Sequence, residues 1–284
     1  FERMRSIYAN SGIKTRYSCV GLDWYLEDHG WRDRNTLYLK NAVALIKEAA
    51  VECLDRANLD PSDVDGIAIV STTGIATPSL DALLLEEVPF RRTVQRLPIF
   101  GLGCVGGVLG LNRVADLARA TPGSRWLFIV VELCGLTFRS RDLSKSNIVA
   151  TALFGDGTAA MLVESIDAGT TVIGAGADYT WPGSLDVMGW QLEEDGFGVL
   201  HGTTHYRINR LRSAWFSPSL KRSSTGTVLT KDAYPQRLLL VSAMDKALRK
   251  MTVDLRTVIS ILGPVSRVWF RMGSSQTFGS NPSS

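Results

Sequence analysis

One cysteine in this 284-residue chain stands where sulfur chemistry is easiest to build. Cys104 lies in Pro98-Ile-Phe-Gly-Leu-Gly-Cys-Val-Gly-Gly-Val-Leu-Gly, where a short apolar strand breaks at Gly101 and Gly103. Beyond it Val105, Val108, Leu109, Leu111, Val114, Ala115, Leu117 and Ala118 recur at helical spacing and predict an amphipathic helix. A helix start leaves backbone N–H groups unpaired and carries the positive end of the macrodipole. A thiolate is stabilised there, and the thiolate is the nucleophilic form of cysteine. The pattern therefore predicts Cys104 as a nucleophile of lowered pKa at the start of a buried helix. Gly103, Gly106 and Gly107 would clear room around its sulfur. A packed cysteine on a core helix has the same local pattern.

The flanking segments read as a frame for that junction. Asn35–Ala57 is expected to be a long helix, with Leu37, Val43, Ala44, Ile46, Ala50, Val51 and Leu54 on its apolar face. Ile67–Thr73 and Trp126–Cys134 read as buried strands, continuous in apolar residues and polar at their ends. Thr72, Thr73 and Thr77 lie at or just past the first strand end, where sites gather in α/β sheets. Capping a turn is the alternative role for each of them. Glu132 ends the second strand and would be costly to bury alone. It either joins a hydrogen-bonded network with a threonine such as Thr73 or faces solvent. Cys134 lacks the glycine surroundings of Cys104 and reads as a packed core cysteine. Ser79–Leu85 and Ser144–Ala152 suit helices, and Leu153-Phe-Gly-Asp-Gly makes a tight turn into a further strand. The alternation predicts an α/β sheet with helices on its faces.

Composition narrows the function classes. Cys19, Cys53, Cys104 and Cys134 are widely spaced, with no CxxC pair and no histidine cluster, so no metal site is expected. Their usage suits a reducing, cytoplasmic setting. No apolar run approaches the ~20 residues of a bilayer span, and Phe1 opens no signal-peptide pattern. The net charge of +3 conceals a break at Leu200: 13 Lys+Arg face 3 Asp+Glu after it, and residues 1–200 carry a net −7. The basic residues are scattered without interleaved aromatics, which argues against nucleic acid as a partner. Ala233–Lys250 shows some helical spacing and Val258–Leu262 suits a strand, but no fold is evident beyond Leu200. A shifted reading frame or a foreign tail would produce such a break. The chain is thus expected to divide into 1–200 and a divergent basic segment, 201–284.

Gly103-Cys-Val-Gly-Gly107, Arg113-Val-Ala-Asp116, Pro122-Gly-Ser-Arg125, Val131-Glu-Leu-Cys-Gly-Leu-Thr-Phe-Arg139 and Ala152-Leu-Phe-Gly-Asp-Gly-Thr-Ala-Ala160 follow one another in an informative order. The series resembles the type III polyketide synthases, the chalcone-synthase-like branch of the thiolase superfamily, and its bacterial members most closely. Ser11–Ser18, Thr170–Ala177 and Met188–Leu200 extend the likeness over residues 1–200. The resemblance implies a thiolase-like layered α/β/α/β/α fold, with the second half incomplete or disrupted. It implies coenzyme A thioesters as substrates and no bound cofactor. An acyl group from acyl-CoA would load onto Cys104 and be extended with malonyl-CoA. Phe154 would gate the cavity, and Thr72, Thr73 and Thr77 would help shape it. It also implies a homodimer.

The family's decarboxylating His and Asn lie in His-Pro-Gly-Gly-like and Gly-Asn-Met-Ser-Ser-like turns, and neither is present. The histidines are His29, His201 and His205, none followed by Pro-Gly-Gly. Asn281, in Gly279-Ser-Asn-Pro-Ser-Ser, has the wrong order to take the asparagine's role. Two alternatives stand beside the first reading. One is a condensing enzyme like β-ketoacyl synthase III. The other is an impaired fragment that only binds acyl-CoA or pairs with a homologue.

Overall fold

The computed structural model describes residues 5–166 and 188–200, a few positions between them, and the backbone of 268–271. In chain order the regular elements are helix α1 Arg5–Ser11, helix α2 Trp31–Ala57, strand β1 Gly66–Val70, helix α3 Leu80–Glu87 and strand β2 Gln95–Ile99. Helix α4 Gly106–Ala120, strand β3 Arg125–Leu133, helix α5 Lys145–Leu153 and strand β4 Asp156–Glu164 follow. Strands β5 Gly189–Glu193, β6 Gly196–Leu200 and β7 Val268–Arg271 complete the set.

Five strands form one sheet in the order β2-β1-β3-β4-β7, and β5 and β6 form a separate antiparallel pair. β1 runs parallel to both β2 and β3, whereas β3 and β4 are antiparallel, as are β4 and β7. Every residue of β1 is buried because helices cover both faces of the sheet. Strand side chains alternate between faces. Ile67, Ile69, Leu127, Ile129, Val131 and Leu133 accordingly pack under α2 and α3 in one core. Ala68, Val70, Trp126 and Phe128 meet Val114 and Ala118 of α4 in the other.

The main helices and strands fall where the apolar spacing puts them, and their ends differ by a few residues. α2 begins at Trp31 rather than Asn35. It stops at Asn58, whose left-handed backbone (φ 53°) lets Asn58 and Leu59 N–H groups return to the last helical carbonyls. Ser144 caps α5 by accepting a hydrogen bond from the Asn147 N–H. The expected turn-rich start contains α1 as well. Seven residues make a marginal helix alone, and this one is held by the Tyr8 hydroxyl on Thr151 Oγ1 of α5. The segments Ala233–Lys250 and Val258–Leu262, and nearly all of Thr170–Ala177, lie outside the described residues.

Candidate active site

Cys104 sits on a single turn of 3-10 helix, Gly103–Val105, wedged between the end of β2 and the first residue of α4. The approach needs left-handed backbone at Gly101 (φ 85°) and Gly103 (φ 56°), which glycine adopts without strain. Cys104 itself is exposed. This corrects the expected buried setting: Val105 and Val108 are also exposed, and the inner face of α4 is Gly106, Gly110, Val114, Ala115 and Ala118. The glycines serve contact with the sheet more than space around the sulfur. A Cβ on Gly106 would lie 2.7 Å from Val70 Cγ1, and one on Gly110 would lie 2.8 Å from Val70 Cγ2. Gly107 is roomier, with Val130 Cγ2 3.9 Å from such an atom.

Beside this junction, the ends of β1 and β3 hold a carboxylate. Glu132 shares its face of β3 with Trp126 and Phe128, the α4 face, and stands opposite Gly157 of β4. The Thr72 N–H donates to Glu132 Oε1 and Oε2 at 3.0 Å each, and Thr72 Oγ1 donates to Oε1 at 3.0 Å. Thr73 Oγ1 donates to Oε2 at 2.8 Å and accepts from the Leu133 N–H at 2.8 Å. Of the two roles open to Glu132, the structure selects the network. Thr72 and Thr73 are buried and belong to it, whereas Thr77, exposed on the following loop, takes no part.

The electrostatics reverse the expected effect on the thiol. Burial raises the Glu132 pKa, and the hydrogen bonds from Thr72 and Thr73 pull it back in part. The Cys104 pKa is raised: desolvation by surrounding protein is the larger cause, the Glu132 charge adds to it, and a backbone hydrogen bond opposes both. The helix start is present, yet desolvation and then the Glu132 charge raise the thiol pKa all the same. Cys134 starts the 3-10 turn Cys134–Thr137 directly after β3 and is partly rather than fully buried. Desolvation, Glu132 and Asp156 hold its thiol well above the ordinary value.

Further residues gather nearby that sequence reasoning did not single out. Trp31, Arg34, Asn35, Leu136, Thr137 and Phe197 line a small cavity together with Thr73. Arg34 is buried on α2 and donates to the carbonyls of His29 (3.0 Å), Leu136 (2.8 Å) and Phe138 (2.6 Å). An arginine on an amphipathic helix reads as a solvated charge, so its sequence context hides this role. Phe154 belongs to an aromatic group that shares Phe197 with this cavity. Its ring meets Trp190 edge-on at 6.3 Å, and Trp190 stacks on Phe197 at 5.7 Å. Among the described residues the one histidine is His29, stacked on Trp24 at 4.1 Å with Nε2 2.8 Å from the Trp24 carbonyl. His201, His205 and Asn281 lie outside the described residues. Among those described, no cluster of His, Cys, Asp and Glu suits a metal ion, and no helix is long and apolar enough to cross a membrane.

Comparison with known proteins bears on this geometry. Residues 4–167 match the sequence profile of the N-terminal domain of chalcone and stilbene synthases. The chain is 37% identical over 202 residues to 1,3,6,8-tetrahydroxynaphthalene synthase of Streptomyces peucetius subsp. caesius, covering 69% of this chain and 53% of that protein. It is 28% identical over 194 residues to phloroglucinol synthase of Pseudomonas fluorescens, covering 68% and 56%. The crystal structure of 1,3,6,8-tetrahydroxynaphthalene synthase from Streptomyces coelicolor, a bacterial type III polyketide synthase, superposes with a TM-score of 0.71 at 30% identity. That match covers 75% of this chain and 62% of the other. The chain thus spans somewhat more than half the length of these relatives. A family profile over residues 4–167, a type III polyketide synthase fold and a cysteine at the strand-to-helix junction agree, and the chain belongs to the chalcone and stilbene synthase family.

Proposed function

We propose that this chain carries the acyl-loading part of a type III polyketide synthase, with Cys104 as the nucleophile. The observation that supports this most directly is the exposed Cys104 on its own turn at the head of α4. A thioester carbonyl is a soft electrophile suited to sulfur. In loading, the Cys104 thiol gives up its proton and its sulfur bonds to the acyl carbon of an acyl-CoA. The bond from that carbon to the coenzyme A sulfur breaks, and coenzyme A leaves with the proton. The substrates are coenzyme A thioesters, acyl-CoA for loading and malonyl-CoA for extension, and the reaction requires no prosthetic group. Thr72, Thr73 and Thr77 are assigned to the cavity wall and Phe154 to its gate.

Extension needs hydrogen-bond donors for the malonyl-derived enolate, and losing one such donor typically costs ~10²–10³ in rate. With no His-Pro-Gly-Gly or Gly-Asn-Met-Ser-Ser turn in the sequence, loading should outrun extension. The raised Cys104 pKa favours a second reading in one respect, a subunit that binds acyl-CoA and works beside a homologue. Mass spectrometry after incubation with acyl-CoA separates the two. An acyl adduct on Cys104 that Cys104→Ala abolishes is expected. An unlabelled protein that still binds acyl-CoA would replace the first reading with the second.

Four free cysteines among the described residues suit a reducing cytoplasm. We also propose a pairing with a second copy through the sheet edge and the Gly74–Pro78 loop. β2 pairs only with β1 among the described strands, and Phe100 just after it and Ile75 in the loop are exposed. Sedimentation at micromolar concentration is expected to give a dimer, and a clean monomer would remove this part of the reading.

A further inference from the structure

Asp81 is the most deeply buried ionisable side chain on the β2 side of the sheet. It lies in the first turn of α3 with none of its surface exposed. Among the described residues neither of its oxygens receives a hydrogen bond. Among the described residues its ion pair is with Arg96, whose Nη1 lies 3.2 Å from Asp81 Oδ2 without aiming an N–H at it. Arg96 is on β2 and, paired in register with Ile67, faces the α2 and α3 side.

This arrangement is a poor way to gain stability. A buried carboxylate sheds its water at a cost of several kcal/mol, and an ion pair without good hydrogen bonds repays that incompletely. An apolar pair of similar size would serve the core as well or better. The connections at each end of the pair suggest what it does instead. α3 is the continuation of the segment that leaves β1 through Thr72 and Thr73, the two residues that clamp Glu132. β2 is the strand that runs on to Cys104, and its Ile99 carbonyl accepts from the Ser71 N–H at 3.2 Å.

We infer that Asp81 is a positioning residue for Cys104: through Arg96 it fixes α3 and the threonine segment against the strand that delivers the nucleophile. The inference rests on the reading of Cys104 as that nucleophile, and its test is chosen to stand apart from that reading. The spacing it fixes is the one between Cys104, past the end of β2, and Glu132, two residues beyond Val130 on β3, the two strands being held in register by Val70 of β1. When the pair is broken, the β2 end and its cysteine relax outward, where water screens Glu132.

The experiment is the pH dependence of Cys104 alkylation by iodoacetamide, with sites resolved by peptide mass mapping. It needs no coenzyme A thioester, so failure of acyl loading would leave it interpretable. In Asp81→Asn the profile is expected to move to lower pH by about half a unit, about a threefold faster reaction near neutrality. The double variant Asp81→Leu/Arg96→Met should retain or raise the melting temperature and show the same displacement, and Arg96→Lys should keep the native profile. A folded Asp81→Asn or double variant whose profile superimposes on the native one overturns the inference. So does loss of folding in both, which would make the pair a stability element.

Discussion

Thr73 and Glu132 are joined by a hydroxyl that works in both directions. Thr73 Oγ1 donates to Glu132 Oε2 and accepts from the backbone N–H of Leu133, each at 2.8 Å. One side chain on the β1 end thereby fixes both a carboxylate and the next backbone donor on β3. Replacing Thr73 with valine keeps the shape and removes both bonds. Each buried group left unsatisfied costs about 1–3 kcal/mol. Thr73→Val is therefore expected to lose about 2–4 kcal/mol in chemical denaturation. A loss under half a kcal/mol, the size of an ordinary surface change, would mean that Thr73 does not hold the strand ends together.

Glu132 also bears on the reactivity of Cys104, after desolvation. Its negative charge disfavours the thiolate, so a neutral isostere should make the thiolate easier to form. In Glu132→Gln the alkylation profile of Cys104 should move to lower pH, and the rate at neutral pH should rise. Acyl loading, if limited by thiolate, should accelerate with it. An alkylation profile that stays in place or moves to higher pH would show that desolvation, the larger cause, leaves no measurable share to Glu132.

Two neighbouring glycines of α4 should respond oppositely to the same substitution. A Cβ at Gly110 would stand 2.8 Å from Val70 and 2.9 Å from Phe128, contacts that push the helix off the sheet. Overpacking of that kind costs about 1–3 kcal/mol. At Gly107 the nearest atom, on Val130, is 3.9 Å away, and replacing a helical glycine with alanine gains roughly 0.5–1 kcal/mol. Thermal melts of Gly110→Ala and Gly107→Ala should therefore shift in opposite directions. Equal shifts would mean that α4 is not seated on Val70 through its small residues.

The frame of the site is legible in the sequence because it rests on local periodicity. Helical spacing places α2 and α4, and continuous apolar runs place β1 and β3 on either side of the cysteine. The reach of Glu132 to Thr73 follows from the expense of burying a carboxylate alone, so it too is anticipated as one of two outcomes. What escapes is set by tertiary contact between distant positions. The direction of the Cys104 pKa depends first on desolvation by the surrounding protein and then on a charge 28 residues onward, neither of which shows in the local pattern. The inner face of α4 begins with Gly106 and Gly110 because Val70 and Phe128 leave no room there, while Val105 and Val108 are exposed. Asp81 and Arg96 look like ordinary helix and strand charges until the packing of α3 against β2 brings them together.

Asp156 supplies a test of how pH acts on the fold. Its carboxylate, only 6% exposed, accepts from the Cys19 N–H at 2.8 Å and the Gly135 N–H at 2.6 Å, tying the chain before α2 to the turn after β3. Desolvation raises its pKa despite those two bonds, and Glu132 is raised for the same leading reason. A carboxyl group whose native pKa lies above its unfolded value binds its proton more readily in the folded state. Its favourable contribution is fully present below the unfolded value, about 4, and is lost as pH rises through the native one. Unfolding free energy measured by denaturant should therefore fall as pH climbs out of the ordinary carboxylate range. Asp156→Asn should flatten that slope. It should also lower stability throughout, because an amide group that accepts from one N–H turns its own donors toward the other. A variant that keeps the full native slope would show that Asp156 does not titrate differently in the folded and unfolded chain.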